Sequence, residues 1–430
     1  MIKFFQSINL KSEFTKSVLV LMTGSTIAQA IPIAISPILT RIYTPEDFGI
    51  LAMFVTVTAI FSTVATARYE LAIILPENDS EGSNLTILSV FISLIICIFL
   101  LLFFYLFNSR ISHFLGDEKI GPWLYFAPFV IFLSSLFNAL KYYNIRKNNY
   151  SLIAQAGTMQ SIFSASIQLV LGLFKFGNTG LLLGNGMPFV VSNFIFLRKS
   201  SSDFLNSFRQ VTFKKLNLLA NQYNEFPKYS LTASMANILS QNLSNIFISS
   251  FFSVYALGQY ALVLRILSMP SILLGTAIGD VFTKKAIDEK IKTGCCTNSF
   301  RNTYIILGVF SFIIFTPLYF VITPLFTFVF GQEWIIAGKF AQILIPLLAI
   351  KFWMSPLTMV FVIFSKQQKV ALKWQVFFLL ATIGIFLVVY FLKSDIEFFL
   401  WLYSIVTSLI YLLQFFVLKE MVGKNDIYQK

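Results

Sequence analysis

The chain has 430 residues, of which 57% are hydrophobic and only 12% charged, with a mean hydropathy of +0.77. Soluble domains carry about a quarter charged residues, so this composition excludes a soluble enzyme or binding domain and demands lipid. The net charge of +13 would suggest nucleic acid in a soluble protein; here basic loops on one side of a membrane account for it, and no nucleic-acid partner is expected.

A bilayer core of about 30 Å takes roughly 20 apolar residues per helix. Apolar runs of that length recur along the whole chain and predict twelve spans, near residues 16–39, 49–75, 85–107, 121–142, 152–173, 179–197, 229–252, 259–282, 303–329, 339–364, 374–392 and 398–418. Most of the 32 Lys and Arg residues then fall in the segments on the N-terminal side of the membrane, which places both termini in the cytoplasm. One loop on that side, Pro76 to Asn84, breaks the pattern, with Glu77, Asp79 and Glu81 and no basic residue.

The first span carries Pro32 and Pro37 after Gly24 and Ser25. Proline frees a carbonyl and bends a membrane helix where neighbours satisfy that group, so this span is the candidate gate or hinge, with static kinking as the other reading. The second span carries Arg68 and Glu70 deep in its sequence. An ionised group at mid-membrane costs about 2.5–3.5 kcal/mol and normally faces a cavity or a partner. Two residues apart on a regular helix, Arg68 and Glu70 point to different sides and call for separate partners, although pairing of Glu70 with Arg68 stays open. The longest inside loop follows the sixth span. The expected organisation is a six-helix lobe over residues 1–197, a cytoplasmic connecting loop over 198–224 and a second six-helix lobe over 225–430.

In the second half, Lys228 follows Pro227 at the inner mouth of the seventh span, where a basic residue is also ordinary. Arg265 lies in the outer half of the eighth span and either lines a cavity or snorkels outward. Asp280 is near the inner end of the same span, at the interface or in an ion path. Lys351 is near the middle of the tenth span, too deep to snorkel, and reads as a cavity residue. The two halves share an internal pattern: Gly116, Asp117 and Glu118 before the fourth span match Gly331, Gln332 and Glu333 before the tenth, and Phe48 and Gly49 match Leu257 and Gly258. Six spans per half make this a parallel repeat, the kind that encloses a substrate site.

Intramembrane charge is thus mainly basic, which suits an anionic ligand such as a phosphate or diphosphate. The single histidine, His113, lies in a polar loop, and Cys97, Cys295 and Cys296 lack metal-site spacing, so no cofactor, metal or catalytic group is expected. Phosphate-binding glycine loops are also missing from the sequence.

Five strings, LTRIYTPEDFG (Leu39 to Gly49), RYELAIILPEND (Arg68 to Asp79), FPKYSL (Phe226 to Leu231), LGQYALVLRILSMP (Leu257 to Pro270) and FGQEWIIAGKFAQIL (Phe330 to Leu344), sit at turns or just inside spans. In that order they resemble the Wzx-type O-antigen and polysaccharide flippases of the multidrug/oligosaccharidyl-lipid/polysaccharide exporter superfamily, over about residues 15–418. The resemblance implies an all-α polytopic protein with about twelve transmembrane helices in two six-helix lobes around a central cavity. It further implies flipping of undecaprenyl-diphosphate-linked oligosaccharides across the bacterial inner membrane, from the cytoplasmic to the periplasmic leaflet, by alternating access. Arg68, Arg265, Lys351 and Lys228 would then hold substrate, and Glu70 and Asp280 would couple to H+ or Na+. Implied partners are membrane lipid and the polysaccharide polymerase and chain-length regulator of the same pathway. Competing readings are a cation-coupled drug or metabolite exporter of the same superfamily, a membrane glycan polymerase or ligase, which would need larger outer loops, and a non-transporting scaffold.

Overall fold

Each of the twelve predicted segments meets a helix in the computed structural model, which describes residues 13–210, 212–364 and 368–423, and no strand occurs among the described residues. In chain order the helices are α1 Glu13–Ala34, α2 Ser36–Ile42, α3 Pro45–Ala65, α4 Asp79–Phe114, α5 Gly121–Arg146, α6 Tyr150–Leu173, α7 Asn178–Gly186, α8 Pro188–Gln210 and α9 Phe213–Gln222. They continue as α10 Leu231–Phe247, α11 Val254–Leu267, α12 Thr276–Thr293, α13 Thr297–Phe330, α14 Ile335–Met354, α15 Val360–Ile363, α16 Gln368–Leu392 and α17 Ile396–Gly423. Both chain ends, expected on one side of the membrane, lie outside the described residues.

Ten of the described helical segments are long and apolar enough to cross a membrane, and α11 with Ser271–Thr293, bent by 41°, makes an eleventh. The seventh predicted span is also helical, but its regular part, α10, has 17 residues and is flanked by the wide π turns Phe226–Ser230 and Ile248–Phe252. Ile98, Phe99, Leu102, Tyr105 and Leu106 of α4 are exposed, a liability in water and the ordinary lining of a lipid-facing helix. Residues 198–224, expected as a loop, are instead largely α8 and α9. Leu216 and Leu219 of α9 are buried against Tyr69, Ala72, Leu85 and Tyr143, and that apolar contact is what folds the segment.

The chain divides into two compact units, one running to Tyr43 and resuming over Ile50–Ile238, the other made of Thr44–Gly49 and the chain from Leu239. In the first unit α1 packs against α6 so closely that a Cβ on Gly24 would overlap the Cβ of Ala154. Pro32 closes α1 and Pro37 opens α2, and the Ser36 hydroxyl donates to the Pro32 carbonyl at 2.7 Å. That bond satisfies a carbonyl in a stretch where two prolines supply no N–H.

In the second unit three of the sequence strings lock together. Gly49 and Gly258, matched in the internal repeat, meet: a Cβ on Gly258 would overlap the Pro45 carbonyl oxygen, and one on Gly49 would overlap that of Val254. Only glycine allows two helix backbones this close. Phe48 packs edge-on against Trp334, with ring centroids 5.1 Å apart. Fully buried Gln259 donates from Nε2 to the Glu333 carbonyl at 2.7 Å and accepts at Oε1 from the Ala337 N–H at 2.9 Å, which caps the start of α14. The repeat is also visible in the backbone. Gly116 (φ 89°) and Gly331 (φ 104°) both take the left-handed region before short 3-10 turns, Glu118–Ile120 and Gln332–Trp334.

Candidate functional site

Regular helix ends at Ala65, and the next residues break it sharply. Ala67 (φ 48°) and Arg68 (φ 64°, ψ 13°) are left-handed, and a 3-10 helix follows over Tyr69–Ile74. For residues with a Cβ each such conformation costs about 1–2 kcal/mol, so surrounding contacts must enforce it. The break corrects the expectation that Arg68 and Glu70 point apart. With the helix interrupted, Arg68 Nη1 lies 3.1 Å from Glu70 Oε1, and the Thr66 hydroxyl donates a short hydrogen bond to Glu70 Oε2. The Glu70 side chain is 5% exposed and that of Arg68 27%. The Nε of Arg68 is buried without a hydrogen-bond partner among the described residues.

Arg146, in the last turn of α5, holds the exit from this break. Its Nη1 donates a short bond to the Pro76 carbonyl, Nη2 donates to that of Glu77 at 3.1 Å, and Nε reaches Asp79 Oδ1 at 3.3 Å. Lys147 Nζ adds an ion pair to Asp79 Oδ2 at 2.6 Å. A Cβ on Gly82 would stand 2.7 Å from Arg146 Nε, so glycine gives the guanidinium room. These contacts explain the acidic loop that departs from the positive-inside pattern, because its countercharges arrive from the end of the fourth span. Tyr69 donates to the Ala220 carbonyl at 2.9 Å. On the loop after α9, burial raises the Tyr223 phenol above its ordinary value; the Glu81 carboxylate adds to the rise and Arg146 opposes it.

Lys228 is exposed on the π turn Phe226–Ser230, which packs against Tyr69–Ile74. Two further sequence strings, RYELAIILPEND and FPKYSL, are thus brought together in the first unit. The fold places Arg68, Glu70 and Lys228 on neighbouring elements.

In the second unit Arg265 is half-buried in the last turn of α11, and Lys351 is exposed in the last turn of α14. Lys351 was expected near mid-span; regular helix in fact stops three residues later and gives way to the 3-10 segment Ser355–Met359. After Arg265 the chain passes through Pro270 into the π turn Ser271–Gly275. These two breaks adjoin: Gly279, one turn beyond the π turn, faces Pro356, to which a Cβ would come within 3.4 Å. Arg265 precedes Pro270, and Lys351 precedes Pro356, by the same interval, a spacing that sequence inspection could have caught. Asp280 is exposed on α12, beside this junction in sequence. Lys290, later on α12, donates to the Ile363 carbonyl at 3.2 Å and lies 4.1 Å from the Phe364 ring centre. It resembles Arg146 in capping the chain beyond a broken helix.

All four cationic candidates therefore stand at interruptions of a helix. Within a bilayer, irregular backbone is tolerated only inside protein or beside a water-filled cavity, and broken helices carry the substrate and ion sites of many transporters. A separate groove of about 340 Å³ between α13 and α14, lined by Phe315, Tyr319, Pro346 and Trp353 among others, is apolar and includes none of these charges.

Residues 38–338 match a family model described as polysaccharide biosynthesis protein. The chain belongs to that family. Among curated proteins none matches it in sequence. Solved structures with the same fold include the lipid II flippase MurJ in an inward closed conformation, at 13% identity and a TM-score of 0.67 over 94% of this chain and 87% of that one. A multidrug resistance MATE transporter of the MOP superfamily, inward-facing, aligns at 12% identity and a TM-score of 0.61, covering 95% and 96% of the two chains. A MOP superfamily transporter from Pyrococcus furiosus, described as having a binding pocket of reversed polarity, gives 11% identity, a TM-score of 0.54 and coverage of 96% and 97%. The all-α, multi-pass membrane architecture is that of these proteins. In this polysaccharide biosynthesis protein the four cations stand out in the sequence by residue type and depth, whereas Thr66, Arg146 and Lys290 carry no such signal, because their contacts join segments distant in sequence or depend on a broken helix.

Proposed function

We propose that this polysaccharide biosynthesis protein is a flippase that moves undecaprenyl-diphosphate-linked oligosaccharides, O-antigen or related surface-polysaccharide repeat units, from the cytoplasmic to the periplasmic leaflet of the bacterial inner membrane. The observation that carries this reading is the placement of Arg68, Lys228, Arg265 and Lys351 at helix interruptions. A diphosphate cannot enter hydrocarbon unaided. Cations beside irregular, hydrated backbone replace its water and its counterions, and because they are dispersed they release it again. Alternating access supplies the two leaflets in turn, with the Pro32 and Pro37 junction as the bending element. Glu70 and Asp280 are the groups proposed to couple the cycle to H+ or Na+. The protein would work beside the polymerase and chain-length regulator that use its product.

A drug exporter of the same superfamily would favour cationic amphiphiles and an acidic interior, the opposite of the charge balance here. The test is leaflet exchange of a fluorescent undecaprenyl-diphosphate oligosaccharide in proteoliposomes, comparing the intact protein with Lys351→Ala and Arg68→Ala at matched insertion and melting temperature. Each variant is expected to slow exchange about tenfold or more, as loss of a charge-assisted contact of about 1.5–3 kcal/mol predicts. An intact protein that moves no glycolipid but exports a cationic dye overturns the proposal in favour of the exporter.

A further inference from the structure

The Arg68 site contains its own anion. The Glu70 carboxylate engages Arg68 at Nη1, 3.1 Å from Oε1. Its second oxygen is taken by Thr66. The Nε donor on the other side of the guanidinium is buried and has no hydrogen-bond partner among the described residues. A guanidinium offers five N–H donors in a planar fork suited to two-point contact with a phosphate, so this one is only partly used. A buried donor without an acceptor is costly, and the two consecutive residues beside it, Ala67 and Arg68, are left-handed, a conformation that persists only where the surroundings enforce it. Simple neutralisation of a membrane charge requires neither the strain nor the unused donor.

We infer that Glu70 is a built-in competitor for the phosphate site of Arg68: it engages the guanidinium before substrate binds, gives it up to an incoming diphosphate lipid while keeping its bond to the Thr66 hydroxyl, and returns to expel it. This deepens the flippase reading and rests on it. Glu70 lowers affinity by design, since a transported anion must leave as readily as it arrives. Thr66 has the opposite effect, because its hydroxyl holds one carboxylate oxygen in both positions and that charge-assisted bond weighs more once the carboxylate has given up Arg68. Charge removal at Glu70 and hydroxyl removal at Thr66 should therefore shift binding in opposite directions, which a general loosening of the break would not do.

The experiment measures binding of a short-chain polyprenyl diphosphate to the full-length protein in nanodiscs of zwitterionic lipid, with inorganic diphosphate and phosphatidylglycerol as separate ligands. Glu70→Gln keeps the size of the side chain and one acceptor oxygen, which Thr66 can still engage, and removes the charge. It is expected to bind the polyprenyl diphosphate tenfold tighter or more and to flip the fluorescent glycolipid more slowly as release becomes limiting. Thr66→Val is expected to bind severalfold more weakly, and Arg68→Ala to lose the effect of Glu70→Gln in the double variant. Inorganic diphosphate should follow the same order at lower affinity. Equal or weaker binding by Glu70→Gln, or a shift confined to phosphatidylglycerol, overturns the competitor role while leaving the flippase reading intact. A wild-type protein that neither binds nor flips the diphosphate lipid overturns that reading itself.

Discussion

Two regions built from the same set of sequence strings have opposite physical characters. Around Gly49, Gly258, Gln259 and Trp334 in the second unit, helices meet backbone to backbone, and the polar atoms of Gln259 are satisfied at both ends. Around Arg68, Glu70 and Arg146 in the first unit, the helix is broken, two residues are left-handed, and a buried guanidinium nitrogen has no partner among the described residues. The first region is packed to have one arrangement. The second keeps unused hydrogen-bonding capacity, which suits a segment that must exchange partners. The strings at the turns therefore do not all lie at the candidate site; some hold a crossing of helices.

This contrast can be broken most directly at the packed region. Gly258→Ala should destabilise the protein by about 3 kcal/mol or more, since overpacking against a backbone carbonyl cannot be relieved by a rotamer change. The measure is the melting temperature and monodisperse yield in detergent; a protein that tolerates the methyl would show the crossing to be loose. In the broken region Arg146→Ala should cost less stability, about 2 kcal/mol for the lost charge-assisted bonds, yet reduce glycolipid exchange per folded molecule about tenfold, because the 3-10 segment carrying Glu70 loses its anchor. Equal losses of fold and of exchange would make Arg146 merely structural. The smallest effect is expected at Lys228, exposed on its π turn. Lys228→Ala should slow exchange by about twofold, as the loss of a solvated charge allows, and unchanged exchange would take Lys228 out of the substrate path.

The twelve apolar segments, the internal repeat and the intramembrane charges were all legible in the sequence, because hydropathy and ionisation are properties of the residues themselves. Helix breaks were less so. Arg68 and Glu70 were read on an uninterrupted helix, and their separation by two residues then argued against pairing; Ala67, unremarkable in sequence, adopts the left-handed geometry that brings them together. The segment 198–224 reads as an inside loop because most of α9 is exposed, and its contact with Tyr69, Ala72 and Leu85 shows why Leu216 and Leu219 fold against the first unit. In sequence Arg146 is one more basic residue; its contacts with Pro76, Glu77 and Asp79 arise only in the fold.

By itself the sequence determined that this is an α-helical membrane protein with basic residues in its spans, since a bilayer accepts a backbone only when its polar groups are bonded internally and charges only at a cost. The tertiary structure decided where those helices stop, which carboxylate faces which guanidinium and which carbonyls each basic residue caps. Those outcomes depend on close approach between segments tens of residues apart, and the energy that enforces a left-handed Arg68 comes from its neighbours rather than from its own preferences.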